Sequence, residues 1–339
     1  MPAVPQGARG AIITGWGTAL PDKTLTNADL EEMFDTSDEW IVERTGIRER
    51  RVGGTTAGLS VESGRKALEM AGLDPSEIDA LILATTTPDR AVPATSATVQ
   101  DLLGLTCGAY DINAACSGWV YGLVTAHGLI AMGANKILLI GTDTLARITD
   151  WTDRSTAILF ADGSAATVLE AVDGPGEMLG WDLDSNGSAE QALYCEVGGK
   201  LQMEGKEVFR RAVRIMVDSA TKSMEHAGVV ADDIALVIPH QANLRIISAS
   251  CDRLGIGMDR VSTVLDHTGN TSAASVPLAL AAALDQGRAA EGDLVLFVGF
   301  GAGMTAASAV VRWAASPSAN ETNGVRPQSS HSTGRDNNE

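Results

Sequence analysis

The chain has 339 residues, 45% of them hydrophobic, with a formal net charge of −18. Apolar content of that order over that length fills the cores of two packed units and excludes a disordered chain or a fibre. The acidic balance excludes broad binding to nucleic acid or an anionic membrane, because phosphate contacts need a basic face. An anionic partner has to find a local basic patch.

The N-terminal stretch MPAVPQGARG has no apolar signal core. The longest apolar runs, such as LVLFVGFGAGM, are too short and too rich in glycine to span a bilayer, so a cytoplasmic protein is expected. Cys107, Cys116, Cys195 and Cys251 are scattered without a CxxC pair. Reduced thiols are expected, with neither a disulfide framework nor a metal site.

In chain order, AIITGWG reads as a strand and TNADLEEMF as a capped helix, with Thr26 or Asn27 at the cap and Glu31 in the first turn. Further strand-like runs follow as ALILATT, KILLIGT, AATVLEA, ALVIPHQ and LVLFVGF, mostly separated by helical stretches. This alternation predicts an α/β fold. From Ala315 onward the chain is nearly free of apolar residues and rich in Ser, Asn, Gly and Pro, which predicts a disordered tail over 315–339.

Two internal repeats are legible. LEMAGLDPSEIDALIL from Leu68 aligns without gaps on MEHAGVVADDIALVI from Met224: helix end, Ala-Gly stop, acidic turn, buried strand. NAACSGWVYGL from Asn113 likewise matches NTSAASVPLAL from Asn270. The chain therefore reads as two copies of one unit, 1–175 and 176–314, with Cys116 in one copy facing Ala273 in the other.

Cys116 opens an apolar helix after a strand-like run. It is either a small buried hydrophobe or a nucleophile whose thiolate is favoured by the unpaired N–H groups of a helix start. His240, in VIPHQANLRII, follows a buried strand, where open α/β sheets place their ligands; alternatively it is structural. Asn270 opens a helix in LDHTGNTSAASVP and is either a cap or a donor, with His267 three residues earlier as a competing histidine. GFGAGMTAAS ends a strand with glycines able to offer N–H donors to an oxyanion. Gly301 to Ala306 also satisfies the G-x-G-x-x-A dinucleotide pattern, but the strand-like ASAVVRW follows where a phosphate-binding helix is needed. No G-x-C-x-G elbow surrounds Cys116, which argues against a hydrolase.

Cys116 in NAACSG, His240 in PHQAN and Asn270 in GNTSAASVP, together with SDEWIVERTGIRER near the start, resemble β-ketoacyl-acyl-carrier-protein synthase III over about residues 10 to 313. The resemblance implies a thiolase-like, internally duplicated α/β/α/β/α five-layer sandwich, usually a homodimer. It implies decarboxylative condensation of an acyl-CoA starter with malonyl-acyl-carrier protein, in fatty-acid or polyketide synthesis, without a metal or other cofactor. Cys116 would carry the acyl group, His240 and Asn270 would hold the enolate, and the backbone N–H groups of Cys116 and Ala302 would hold the tetrahedral oxyanion. Alternatives are a relative that only transfers the acyl group, or a decayed partner of another synthase.

By the same resemblance Trp40 and Arg154 would sandwich the adenine of CoA, Arg44 would contact its nucleotide and Asn243 would line the pantetheine tunnel. Arg210, Arg245 and Arg253 would form the local patch on which an acidic carrier protein docks. Phe300 would pack beside Cys116. Val92 stands where well-known members carry a phenylalanine that crosses the dimer interface to close the acyl pocket, and Met304 where they carry one after the glycine turn. Their smaller or softer side chains imply a wider pocket and a preference for branched or longer primers.

Overall fold

A computed structural model of the chain describes residues 9–173 and 177–314. The boundary expected at 175/176 and the expected disordered tail, 315–339, lie outside the described residues.

Residues 10–172 form β1 (Gly10–Ala19), β2 (Thr24–Thr26), α1 (Asn27–Glu31), α2 (Asp38–Thr45), β3 (Glu49–Arg51), α3 (Thr56–Ala71), β4 (Ala80–Ala84), α4 (Thr95–Leu103), β5 (Gly108–Ile112), α5 (Gly118–Ala131), β6 (Lys136–Thr144), α6 (Arg154–Ala157) and β7 (Asp162–Val172). Residues 178–312 form β8 (Met178–Asp184), β9 (Leu193–Tyr194), β10 (Gln202–Met203), α7 (Gly205–Ala227), β11 (Ile234–Pro239), α8 (Leu244–Leu254), α9 (Leu265–Thr268), α10 (Ser275–Asp285), β12 (Leu294–Gly301) and β13 (Thr305–Arg312). All six expected strand runs form, as β1, β4, β6, β7, β11 and β12, and ASAVVRW lies in β13.

The main sheets share one plan. The first has strand order β1-β7-β6-β4-β5 and the second, in the same sense, β8-β13-β12-β11. In each, the first two pairings are antiparallel and the third is parallel. Helices α5 and α10 touch strands of both sheets, while α3 covers the outer face of the first and α7 that of the second. The layers therefore run helix, sheet, helix, sheet, helix. Strands β6 and β12 are buried almost throughout, because helices cover both their faces; this is why their sequences are apolar without alternation.

The repeat extends to close contacts. A Cβ on Gly15 would stand 2.4 Å from the Ala67 carbonyl oxygen, and one on Gly180 would stand 2.3 Å from that of Ser223. Ala67 and Ser223 are equivalent in the aligned helices α3 and α7, so glycine lets each outer helix sit directly on its sheet. Each of these helices also ends in a left-handed glycine, Gly72 at φ +68° and Gly228 at φ +69°. At the N-terminal cap the residue is Thr26, and its partner is Asp29 rather than Glu31; the Glu31 carboxylate instead accepts from Asp38 N–H at 2.6 Å.

Candidate active site

Cys116 lies in a 3-10 turn, Ala115–Ser117, between the end of β5 and the start of α5. Ala115 adopts φ +49°, and its N–H donates to Asn113 Oδ1 at 3.2 Å. The second copy reproduces this: Ser272 adopts φ +52°, and its N–H donates to Asn270 Oδ1 at 3.0 Å. Ala273 stands where Cys116 stands in the first copy, and its N–H donates to buried Asp143 at 3.1 Å.

That pseudo-symmetric turn orients Asn270. With its oxygen taken by Ser272, its amide NH2 is left for the cavity. Its backbone is fixed by Asn270 N–H to Leu159 O and Ala161 N–H to Asn270 O, both 2.9 Å. His240 follows β11, its N–H donating to Val298 O at 2.8 Å. Its ring is 1% exposed, edge-on to Phe300 at 5.3 Å, with Nδ1 2.6 Å from Ser275 Oγ. Burial pulls the imidazole down to about 3, so it is neutral at working pH. His267 is exposed and bonds Asp266 at 2.9 Å, which removes the ambiguity over which histidine belongs to the site.

Two cavities meet at Cys116. One, of about 500 Å³, is lined by Cys116, His240, Asn270 and Phe300 and further out by Arg44, Asn243 and Arg245. The other, of about 680 Å³, is lined by Cys116 and Ala302 with Leu145, Ile148, Leu201 and neighbours. Phe160 and Leu193 also face both. The Cys116 thiol is pushed up to about 12, chiefly by burial; a hydrogen bond from Ser272 works against this and the Asp143 charge adds to it. Burial thus works against the thiolate that a helix start favours.

Of the residues expected at the CoA end, Arg44 and Asn243 line the first cavity. Arg44 and Arg154 lie over the Trp40 ring at 4.6 and 4.5 Å. Arg154 stacks directly on the indole, with Nη1 donating to Asp35 O at 2.5 Å, so no slot for a base is open between them. Neither Asp150 nor Asp153 pairs with Arg154: Asp150 binds Thr152 and Asp153 caps α6. Asn243 caps α8 through Arg245 N–H and donates from Nδ2 to Arg44 O, each at 2.9 Å, tying α8 to the end of α2. Arg210 is exposed on α7 and paired with Glu207, Arg253 is exposed on α8, and Arg245 lies 5.5 Å from the Phe209 ring.

The single chain brings neither Val92 nor Met304 into these two cavities. Val92 is 83% exposed and lines neither cavity, although Arg90 and Ala91 beside it form part of the second wall. Met304 is buried, with φ +44°, in the core beneath α7 and also lines neither cavity, because the left-handed turn carries its side chain away from Cys116. Apolar wall residues such as Leu145 and Leu193 carry no sequence signal, since apolar residues in such runs look like any core. Ser272 and Ser275 were equally hidden, as ordinary small residues of a helix start.

Family models for 3-oxoacyl-[acyl-carrier-protein] synthase III match residues 110–187 and, for its C-terminal part, 224–313. A β-ketoacyl-[acyl-carrier-protein] synthase III of Roseiflexus castenholzii is 48% identical over 328 residues, covering 91% of this chain and 99% of the relative. The crystal structure of the Aquifex aeolicus 3-oxoacyl-[acyl-carrier-protein] synthase III superposes with a TM-score of 0.88 at 42% identity, over 90% of this chain and 100% of that one. The priming β-ketosynthase of the R1128 polyketide pathway gives 0.86 at 34% identity, over 93% and 99%. With its duplicated five-layer fold and these relatives, the chain belongs to the β-ketoacyl-acyl-carrier-protein synthase III family of condensing acyltransferases.

Proposed function

We propose that this chain performs the decarboxylative condensation of its family through Cys116, His240 and Asn270. The observation that carries the reading is their convergence on one cavity whose floor, Cys116, also opens into a second, largely apolar chamber. Two substrates acting in turn need such an arrangement: one chamber keeps the acyl chain while the other receives the second thioester.

In the first half-reaction the Cys116 sulfur attacks the thioester carbon of acyl-CoA. The carbon–sulfur bond to CoA breaks, and the proton from the thiol leaves with CoA. Malonyl-carrier protein then enters by the first cavity and loses carbon dioxide. The enolate oxygen is met by two donors, His240 Nε2–H and the Asn270 amide, and the neutral state of His240 suits this role. The enolate carbon attacks the acyl-Cys116 carbonyl, the backbone N–H groups of Cys116 and Ala302 stabilise the oxyanion, and the Cys116 thiolate departs and takes up a proton from solvent, which restores the thiol.

The same proposal routes CoA past Arg44 and Asn243 and docks the carrier protein on α7 and α8 at Arg210, Arg245 and Arg253. An adenine sandwich on Trp40 requires Arg154 to swing off the indole. The assembly proposed is a homodimer of a cytoplasmic protein whose two copies of the fold divide near residue 175. The exposed Val92 beside the wall formed by Arg90 and Ala91 supports a second chain there. No helix among the described residues is long and apolar enough to cross a membrane.

The test is to separate the half-reactions. His240→Ala and Asn270→Ala should still form acyl-enzyme, seen by mass, while release of carbon dioxide from malonyl-carrier protein falls at least about a hundredfold. Loss of acylation with normal decarboxylation would sink the assignment, and acyl transfer without any carbon dioxide release by the wild type would favour a transfer-only enzyme.

A further inference from the structure

The His240 ring presents two nitrogens, and which of them carries the proton decides whether the cavity receives a donor or an acceptor. Nδ1 faces Ser275 Oγ at 2.6 Å. The same oxygen accepts the Gln241 N–H at 3.3 Å. Ser275 and Gln241 are both fully buried. Among the described residues, the Ser275 hydroxyl has no acceptor other than His240 Nδ1. A hydroxyl that already accepts from a backbone N–H, and has one available acceptor, donates to it. A proton on Nδ1 would instead leave the buried hydroxyl hydrogen unpaired, at a cost of about 1–3 kcal/mol.

The duplicated fold supplies an internal control. His240 aligns with Ala84 of the first copy, and Ser275 aligns with Gly118. There the same strand-to-helix contact exists without polar atoms: a Cβ on Gly118 would lie 3.2 Å from Ala84 Cβ. Packing α10 on the end of β11 therefore does not require a hydroxyl at this position. The copy that carries His240 also carries the serine.

We infer that Ser275 is a positioning residue that holds His240 in the Nε2–H tautomer, so that the imidazole meets the enolate oxygen as a hydrogen-bond donor. This rests on the role proposed above for His240. The serine touches no substrate and acts only through the ring. Gln241 shares in the device: its side-chain amide is pinned to Pro239 O at 2.7 Å and to Ser262 O at 3.2 Å, which keeps its N–H aimed at Ser275.

The full-length chain labelled with nitrogen-15 at histidine gives the direct test. The signal of His240, identified by its loss in His240→Ala, should show a protonated Nε2 and an unprotonated Nδ1 at neutral pH. Ser275→Ala should shift that pattern toward Nδ1–H, and Ser275→Thr, which keeps the hydroxyl, should preserve it. Decarboxylation of malonyl-carrier protein should fall roughly tenfold or more in Ser275→Ala, with acyl-enzyme formation changed less than about twofold and activity largely restored in Ser275→Thr. A wild-type His240 protonated on Nδ1 overturns the inference without recourse to any variant. So does a Ser275→Ala protein that keeps both the tautomer and the decarboxylation rate, or one that loses both half-reactions equally. If His240→Ala itself decarboxylates normally, the role of His240 fails, while the tautomer assignment is still decided by the spectrum.

Discussion

Gly301 lies directly against Cys116: a Cβ added to it would stand 2.6 Å from the Cys116 backbone nitrogen and 2.8 Å from Ala115 Cβ. Both obstacles are parts of the turn that carries Cys116, and neither is the end of a flexible side chain. Gly301→Ala should therefore displace the Cys116 N–H from its proposed place facing the oxyanion. Acylation by acyl-CoA is expected to fall about a hundredfold or more while the far-ultraviolet circular dichroism spectrum is unchanged. Wild-type acylation by this variant would show that the contact is not part of the machinery.

Cys116→Ala should remove all covalent acyl-enzyme and leave the fold intact. The second copy already builds the same turn with Ala273 at that position, at 0% exposure, so alanine suits the local packing. Intact mass after incubation with acyl-CoA, taken under denaturing conditions, checks it; a persisting acyl adduct on the variant would move the nucleophile elsewhere.

The pH dependence follows from His240. Burial lowers its folded value to about 3, while an unfolded histidine titrates near 6.5. The folded chain refuses a proton that the unfolded chain accepts, so this contribution to stability is fully present above about 6.5 and is lost as pH falls from there toward 3. Decarboxylation should show no histidine inflection between pH 6 and 8, and the fall in Tm on acidification should be shallower in His240→Gln than in the wild type. A wild-type rate profile with a step near 6.5 that disappears in His240→Gln would contradict the buried neutral ring.

Primer choice should answer to the second cavity and not to Val92 of the same chain. Leu145 is 4% exposed and lines only that chamber. Leu145→Phe fills space that an acyl chain would occupy. With each buried methylene worth about 0.8 kcal/mol, loss of room for two should cut kcat/KM for octanoyl-CoA by roughly tenfold and spare acetyl-CoA. Equal losses for both primers would show that the chamber does not hold the chain.

The sequence alone determined the fold class and singled out the neighbourhood of Cys116. Strands buried on both faces leave long apolar runs, helix ends leave an Ala-Gly stop, and a duplicated unit leaves the same order twice. Strand β8 escaped because Gly180, Asp182 and Asp184 interrupt MLGWDLD, as suits a half-covered antiparallel edge. Cys116, His240 and Asn270 stood out because each combines a reactive group with a turn at a strand or helix end. Tertiary structure alone decided what surrounds them. Cys116 and Ala302 are 186 positions apart and Leu145 and Leu201 are 56 apart, and no local pattern says that they share a chamber. Nor does the sequence show that Val92 points outward, that Met304 turns into the core, or that burial pushes the Cys116 thiol up. Those depend on solvent exclusion and on contacts between segments distant in the chain, which local propensity does not encode.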